Sequence, residues 1–242
     1  MSRPNTFRVL IFPILMLSVV IMTACGGAEE QTLFNKYFIS SKMADNLTLM
    51  NIATIAFDPA KDGQMLSFSI KEVGPEKIEP LGLKAGAEEV RKASAAESEF
   101  SKTKNAFQDA NTAAIERVVK AEQKGQKLAG KDLDIQKQWS KWRDDAKAMS
   151  QKVSDVRKRA NERRPVVEIS ILDQRSPIDV TAFEGEMAVK EVTIEGKVKP
   201  PTGDTATKTF VFTMERATLK AVKDGKDQVG RWVITGRKEA AK

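Results

Sequence analysis

The amino-acid sequence predicts an α+β fold, in which an antiparallel β-sheet with N-terminal helices carries a long inserted antiparallel α-helical hairpin. The segment 84–164 contains no proline and is rich in Ala, Lys, Glu and Gln, which favours helix. The flanking segments contain β-branched and aromatic runs separated by Gly, Pro and Asp, as is typical of strands and turns. We therefore divide the chain into four parts: 1–24, 25–83, 84–164 and 165–242.

The N-terminal part of the body, residues 25–83, is predicted to begin with two helices. The first is indicated by the helical spacing of Leu33, Phe34, Tyr37 and Phe38. Asp45 or Asn46 caps a second, short helix, although the β-branched run 48–57 leaves a strand as an alternative. Its inward-facing residues are predicted to be Leu47, Leu49, Met50, Ile52, Ile55 and Ala56. A strand follows over 65–73 and ends at Gly74-Pro75.

Two heptad seams indicate the hairpin in residues 84–164. The second seam follows a strict 4-3 spacing through Ile135, Trp139, Trp142, Ala146, Met149, Val153, Val156 and Ala160. A weaker first seam runs through Ala93, Ala96, Phe100, Thr103, Phe107, Ala110, Ala114, Val118 and Ala121. The break 124–132 contains two glycines, so we expect the two arms to pack antiparallel. Trp139 and Trp142 are then interhelical core residues rather than a ligand platform.

The C-terminal part, residues 165–242, is predicted to be an antiparallel meander. Its strands cover 166–172, 187–198, 207–222 and 229–235, with a turn at Lys223-Asp224-Gly225-Lys226. We expect Phe210, Phe212 and Trp232 to pack against the N-terminal helices.

The first 25 residues resemble a bacterial lipoprotein signal peptide. Arg3 and Arg8 precede an apolar run, 9–22, that is shorter than the roughly 20 residues of a membrane-spanning helix. The run closes on Met22-Thr23-Ala24-Cys25, which resembles the lipobox, with Met where Leu is usual. The resemblance implies that residues 1–24 are removed and that Cys25 is acylated. The alternative interpretation is an uncleaved membrane anchor or a buried apolar segment with a chance Cys.

Composition makes catalysis improbable. The sequence contains no His, so imidazole-based catalysis and His-ligated metal or haem sites are excluded. Cys25 is the only cysteine, so the mature chain has no internal disulfide, and lipidation removes its thiol as a nucleophile. We find no phosphate-binding loop, calcium-loop spacing or convincing carboxylate pair, and we expect neither enzymatic activity nor a cofactor or metal.

The flanking segments also resemble the NTF2-like superfamily. The helices around 34–57, the strand through Phe68 and the ending Gly230-Arg231-Trp232-Val233-Ile234 carry the resemblance. It implies a cone-shaped α+β body in which the helical segment replaces one short helix of the family. The superfamily includes enzymes and non-catalytic binding modules, so the resemblance does not decide the function.

The positive charge is concentrated in the helical segment. Residues 84–164 contain 20 Lys and Arg against 13 Asp and Glu, whereas the rest of the chain contains 20 of each. Candidate interaction residues near the base of the hairpin are Arg157, Lys158, Arg159, Arg163 and Arg164. A solvated coiled-coil exterior is the simpler interpretation, and attraction to an anionic lipid, protein or cell-wall polymer is the functional one.

These features predict a membrane-anchored lipoprotein of the cell envelope, without enzymatic activity, whose hairpin contacts another protein or an anionic envelope component. Nucleic acid is not expected in this compartment. Gly26, rather than Asp, follows Cys25 and favours the periplasmic face of the outer membrane, with the inner membrane or cell surface as alternatives. A small-ligand-binding module is one alternative function. An export-complex adaptor is another, although its lipoyl-like half-motifs and tip pattern are absent from this sequence. The oligomeric state stays open.

Overall fold

The computed structural model describes residues 27–172 and 177–240, which form a mixed fold of helices and one antiparallel sheet. The predicted signal peptide 1–24, Cys25 and the predicted strand stop at Asp173 lie outside these residues. The helices are α1 (Gly27–Lys42), α2 (Asn46–Met50), α3 (Leu83–Ala110), α4 (Thr112–Gln123), α5 (Gly130–Asn161) and α6 (Arg164–Ile171), with a 3₁₀ turn at Val180–Ala182. The strands are β1 (Gln64–Val73), β2 (Lys77–Pro80), β3 (Gly185–Lys199), β4 (Ala206–Lys223), β5 (Lys226–Val229) and β6 (Val233–Glu239).

The sheet is built around the long pair β3 and β4. They run antiparallel from Gly185 opposite Leu219 to Val198 opposite Ala206. β1 and β2 pair in succession with the other edge of β3, and β5 and β6 do so with the other edge of β4. Asp224 and Gly225 have φ angles of 52° and 72° at the β4–β5 turn, which confirms the predicted turn.

The larger core lies between one face of this sheet and the N-terminal helices. Alternate residues of β3 and β4 point toward α1, so Val192 and Ile194 share this core with Phe212. The Phe212 ring lies 5.0 Å from the Phe34 ring and 6.0 Å from the Tyr37 ring, measured between centroids. Phe210 and Trp232 belong to the same core, which confirms their predicted packing against the N-terminal helices.

A smaller core covers the opposite face at the other end of β3 and β4. Met187, Ala217 and Leu219 are fully buried there against Val167 and Ile171 of α6. Leu81, Leu83 and Val180 complete the cluster. The two cores lie on opposite faces of the sheet, because neighbouring strand residues such as Met187 and Ala188 point to opposite sides.

The predicted strand at 166–172 is wrong, because residues 164–171 form α6. Pro165 occupies the first helical turn, where its missing N–H costs nothing. Val167, Ser170 and Ile171 follow i, i+3, i+4 spacing and are buried against the sheet. Tertiary packing on a helical stripe therefore overrides the β-branched content of this segment.

The predicted single strand over 229–235 is interrupted where α6 packs onto the sheet. The Ser170 hydroxyl donates to the Arg231 carbonyl at 2.7 Å and accepts from the Ala217 N–H at 3.0 Å. A Cβ on Gly230 would lie 2.3 Å from Ser170 Oγ, so only glycine fits this approach. The break between β5 and β6 and the unexpected helix therefore have the same cause.

The two N-terminal helices are present, but the second is shorter than predicted. Asp45 caps α2 by accepting the Thr48 N–H at 3.1 Å. Of its predicted inward residues, Leu49 and Ile52 are buried, whereas Leu47, Met50 and Ala56 are exposed. After Met50 the chain leaves the helix, and Ala53 forms an isolated parallel bridge with Ile234 of β6. That bridge explains why the β-branched run does not continue as helix.

Helices α3 and α4 follow one another as one arm and pack along α5, the other arm. We call these two arms, residues 83–161, the helix pair. All eight predicted positions of the second seam are buried or half-buried in α5. In the first seam, Ala96, Thr103 and Ala110 are exposed, contrary to prediction, and Glu97, Lys104 and Asn111 take the inward positions. The rings of Phe100 and Phe107 lie 5.4 and 5.9 Å from Trp142, which confirms the interhelical packing of that Trp.

Candidate interaction surface of the helix pair

The helix pair is antiparallel and joins the rest of the protein at one end. Arg157 near the end of α5 donates to the Ser94 hydroxyl of α3, whereas Arg117 of α4 pairs with Asp132 at the start of α5. α5 has 32 residues and is therefore about 48 Å long. Contacts with the body lie at the end formed by Leu83, which is buried in the smaller core, and by Arg163, which pairs with Glu79.

The far end of the helix pair, residues 120–131, is a cationic surface that we call the lysine tip. Its exposed lysines form no ion pair with other described residues and are Lys120, Lys124, Lys127 and Lys131. The one acidic residue of this range, Glu122, accepts two hydrogen bonds at 2.9 Å from Arg143 of α5. The positive side chains therefore face solvent while the negative one faces the partner helix.

The carboxylates next to the lysine tip are held in their charged form. The pKa of Glu122 is lowered mainly because Arg143 donates to it, with a further hydrogen bond from Gln136. The pKa of Asp132 is lowered because Arg117 donates to both of its oxygens, at 2.7 and 3.0 Å. Both ion pairs join α4 to α5 and thereby hold the two sides of the tip together.

At the opposite end, an open groove of about 510 Å³ lies between the start of α3 and the end of α5. Its charged lining includes Arg159 and Arg163 together with Glu79, Glu89 and Glu162. The helices approach closely beside it, since a Cβ on Gly86 would lie 3.1 Å from the Ala160 Cβ. This groove carries both signs of charge and is not a purely cationic surface.

The five predicted interaction residues do not form one patch. Arg157 is directed to Ser94, Arg163 to Glu79, and Arg164 donates to Glu168 of α6 at 2.7 Å. Lys158 and Arg159 are exposed and form no ion pair with the described residues. The structure therefore brings only Arg159 and Arg163 to the basal groove, and local carboxylates engage two of the five cations.

The body contains a buried charge cluster that the sequence did not predict. Lys190 of β3 donates to Glu30 of α1 at 2.5 Å, and its Nζ lies 3.8 Å from the centre of the Trp232 ring. The Arg216 guanidinium lies 4.4 Å from the same ring and pairs with Glu76. One signal was available, because Lys190 occupies an inward position in the alternation of β3.

This cluster attaches α1 to the sheet. Lys190 and Glu30 are 5% and 2% exposed, and their ion pair joins residues 160 positions apart. Glu30 Oε2 and Trp232 Nε1 are buried and have no hydrogen-bond partner among the described residues. The arrangement provides a specific polar attachment inside an otherwise apolar core.

Metal-binding clusters and membrane-spanning helices are not found among the described residues. No group of three or more acidic side chains there is placed to bind a metal ion. Aromatic rings fill the space between α1 and the sheet, with the Phe38 ring within 5.1 to 6.1 Å of five neighbouring rings. No helix of residues 27–172 and 177–240 is both long and apolar enough to cross a membrane.

Comparison of the chain with known protein families, with curated proteins and with solved structures finds no match.

Proposed function

We propose that this protein is a membrane-anchored lipoprotein of the cell envelope that has no enzymatic activity and contacts its partner through the helix pair. In this proposal the helix pair is a coiled-coil hairpin inserted into an NTF2-like body, and it projects from that body. One observation carries the proposal: a charged helical structure about 48 Å long is joined to the body at one end, near residues 79–86, 159–164 and the 3₁₀ turn at 180–182. Such a structure gives reach and contact area, which catalysis does not require.

The lysine tip favours an anionic partner. Lys120, Lys124, Lys127 and Lys131 are exposed at the greatest distance from the body, where they can meet another surface first. Exposed charges of one sign raise association rates with surfaces of the opposite sign. The partner that fits is another protein with an acidic surface or an anionic component of the envelope, and the basal groove with Arg159 provides a second, mixed-charge contact region.

The anchor is the acyl chain proposed on Cys25. α1 begins at Gly27, two residues after that cysteine, so the anchor leaves little free chain between the body and the bilayer. A multiply acylated cysteine binds a bilayer stably, since each buried CH₂ contributes about 0.8 kcal/mol. We propose the periplasmic face of the outer membrane as its location, because Gly26 rather than Asp follows Cys25.

A crosslinking pull-down from native membranes tests the role of the helix pair. The full protein is compared with a short-arm variant in which residues 98–152 are replaced by a glycine turn. This variant keeps the contacts at the base, where Gly86 meets Ala160 and Arg163 meets Glu79. We expect the short-arm variant to lose a partner that the full protein captures, and equal capture by both would contradict the proposal.

A pair of charge reversals locates the contact. Lys124→Glu with Lys127→Glu changes the lysine tip, and Lys158→Glu with Arg159→Glu changes the base by the same charge. All four residues are exposed and unpaired with described residues, so the fold is expected to tolerate both variants. We expect the tip variant to lose more captured partner than the base variant, and the reverse order would move the contact to the basal groove.

A further inference from the structure

An exposed apolar surface lies on the two helices that follow the proposed lipid anchor. Ile39 of α1 and Met43, which directly follows that helix, are 58% and 73% exposed, and Leu47 and Met50 of α2 are 77% and 66% exposed. We call these four residues the apolar patch. Side chains of this size seldom remain uncovered together on the surface of a soluble domain, where a contiguous apolar patch marks an interaction site.

The four side chains form two exposed pairs, one at the end of α1 and one on α2. The Met43 N–H donates to the Ile39 carbonyl at 3.0 Å, so Met43 continues the side of α1 that carries Ile39. Leu47 and Met50 are spaced i, i+3 on α2 and share a helix face. Residues 42–47, which join the pairs, are exposed without interruption. Leu66 of β1 is half exposed and lines a shallow groove together with Ile39, which extends the patch onto the sheet edge.

Charge around the patch fits a bilayer surface. Lys36 and Lys42 are exposed on α1, and each lies three residues from Ile39, on the same side of the helix. Amphipathic elements that lie in the headgroup region combine an apolar face with flanking lysines, which reach the phosphates while the apolar side chains enter the acyl boundary. Asp45, the acidic residue between Met43 and Leu47 in the sequence, accepts the Thr48 N–H and caps α2.

We infer that the apolar patch lies in the headgroup–acyl boundary of the phospholipid bilayer that holds the Cys25 anchor, so that the body is docked on the membrane in one orientation. This inference rests on the proposed lipid anchor, and position in the chain supports it. The patch begins on the first helix after Cys25, and an acyl chain there keeps α1 within reach of the bilayer continuously. A tethered surface needs little intrinsic affinity to remain bound, because the tether raises its effective concentration at the membrane.

The test uses fluorescence from single labelled cysteines in the full acylated protein, reconstituted in vesicles of phosphatidylethanolamine and phosphatidylglycerol. Leu47→Cys carries an environment-sensitive fluorophore in the patch. Val229→Cys on β5 is the matched control, because Val229 is an apolar residue of similar exposure, 61%, on a different element. We expect a roughly threefold or greater loss of iodide quenching at position 47 relative to position 229, together with quenching by a lipid-borne quencher.

Two results would overturn the inference. Equal iodide quenching at positions 47 and 229 would mean that the patch faces water. Protection from iodide without quenching by the lipid-borne quencher would mean that protein, such as a second copy of the chain, covers the patch. A label at Met43→Cys should regain iodide access when Leu47→Glu and Met50→Glu are added, but not when Val229→Glu is added.

The mass of the purified N-terminal peptide separates this inference from the proposed function. A peptide without acyl chains would refute the lipoprotein proposal, and the same quenching measurements on that chain mixed with vesicles would still decide whether the patch enters a bilayer. An acylated peptide with an iodide-accessible position 47 would leave the anchor intact and refute only the docking of the patch.

Discussion

The body and the helix pair differ in how completely their apolar residues are buried. Phe34, Tyr37 and Phe212 are fully buried in the body. In the helix pair the largest side chains, Trp139 and Trp142, are only half-buried. Its seam also contains Glu97, Lys104 and Asn111, and the Lys104 ammonium lies 5.5 Å from the centre of the Trp139 ring. The body therefore has a conventional core, whereas the helix pair has a narrow seam with polar positions.

This difference suggests a division of roles within one chain. Outside residues 84–164 positive and negative residues balance, and the segment itself carries seven more Lys and Arg than Asp and Glu. A stable, neutral body is suited to hold the protein in one orientation. A long, charged helix pair with a weaker interface between its arms is suited to contact a partner and to change its conformation on binding. If this interpretation is correct, perturbations of equal size should have unequal effects in the two regions.

The largest expected effect is the loss of an aromatic side chain from the body. Phe212→Ala leaves a cavity beside Phe34 and Tyr37, and we expect it to lower the free energy of unfolding by about 3–5 kcal/mol. Trp142→Ala removes a larger side chain from the helix pair, but the loss should be smaller, about 2 kcal/mol, because that side chain is already partly in water. Urea unfolding monitored by circular dichroism measures both.

Hydrogen exchange shows where each loss falls. Phe212→Ala should speed exchange in β3, β4 and α1, whereas Trp142→Ala should speed it in α3 and α5 alone. A Trp142→Ala variant as unstable as Phe212→Ala throughout the chain would mean that the two regions unfold as one unit and would remove the contrast.

The next effect concerns the buried ion pair, which exists only in the body. Lys190→Met leaves the Glu30 carboxylate buried without its partner, and we expect a loss of about 3 kcal/mol in the free energy of unfolding. Adding Glu30→Gln should recover most of that loss because the unpaired charge is removed. Lys71→Met, which breaks an exposed 2.8 Å pair with Glu195, is the matched control and should cost less than about 1 kcal/mol. Similar costs for Lys190→Met and Lys71→Met would contradict the buried role.

Sequence periodicity correctly predicted the parts of the fold in which every buried residue of an element packs against the same neighbouring element. The second seam was correct at all eight positions because each seam residue of α5 meets the same kind of neighbour, an opposing helix. The first seam was wrong at Ala96, Thr103 and Ala110, because these small side chains do not distinguish one register from the other. The choice of Lys104 over Thr103 depends on Trp139 of the other helix, which no local pattern in α3 contains.

Contacts between distant segments account for the other errors. Val166 to Leu172 has strand composition, and its helix is selected by the Ser170 hydroxyl, which accepts from the Ala217 N–H of β4 and donates to the Arg231 carbonyl. The candidate interaction residues likewise separate into features that the sequence shows and features that require the fold. The run at 157–164 is visible in sequence, but Glu79 and Glu168, which engage two of its cations, are recognised only from the fold. The lysine tip is recognised as a positively charged surface only from the fold, because its one acidic residue, Glu122, faces Arg143.

The smallest expected effect is a pH dependence that belongs to the helix pair. The pKa values of Glu122 and Asp132 lie below their ordinary values of 4.5 and 3.8, because Arg143 and Arg117 donate to the charged carboxylates. The unfolded chain then binds more protons than the folded chain below about pH 4.5. The stabilisation from these pairs is present above the ordinary pKa values and is lost as pH falls through the lowered ones. Its size should be small, since both pairs are solvent-screened.

Comparing urea midpoints at pH 6 and pH 3.5 tests this effect. The double variant Glu122→Gln with Asp132→Asn should lose less stability on acidification than the unmodified protein, because it has no such carboxylates to protonate. Asp144→Asn is the matched control, since Asp144 is exposed on α5 and forms no ion pair with the described residues. An unchanged acid sensitivity in the double variant would mean that α4 and α5 are not joined by these pairs in solution. The lysine tip would then lack the ion pairs that turn its one acidic residue inward, and the contrast between an outward positive and an inward negative surface would fail.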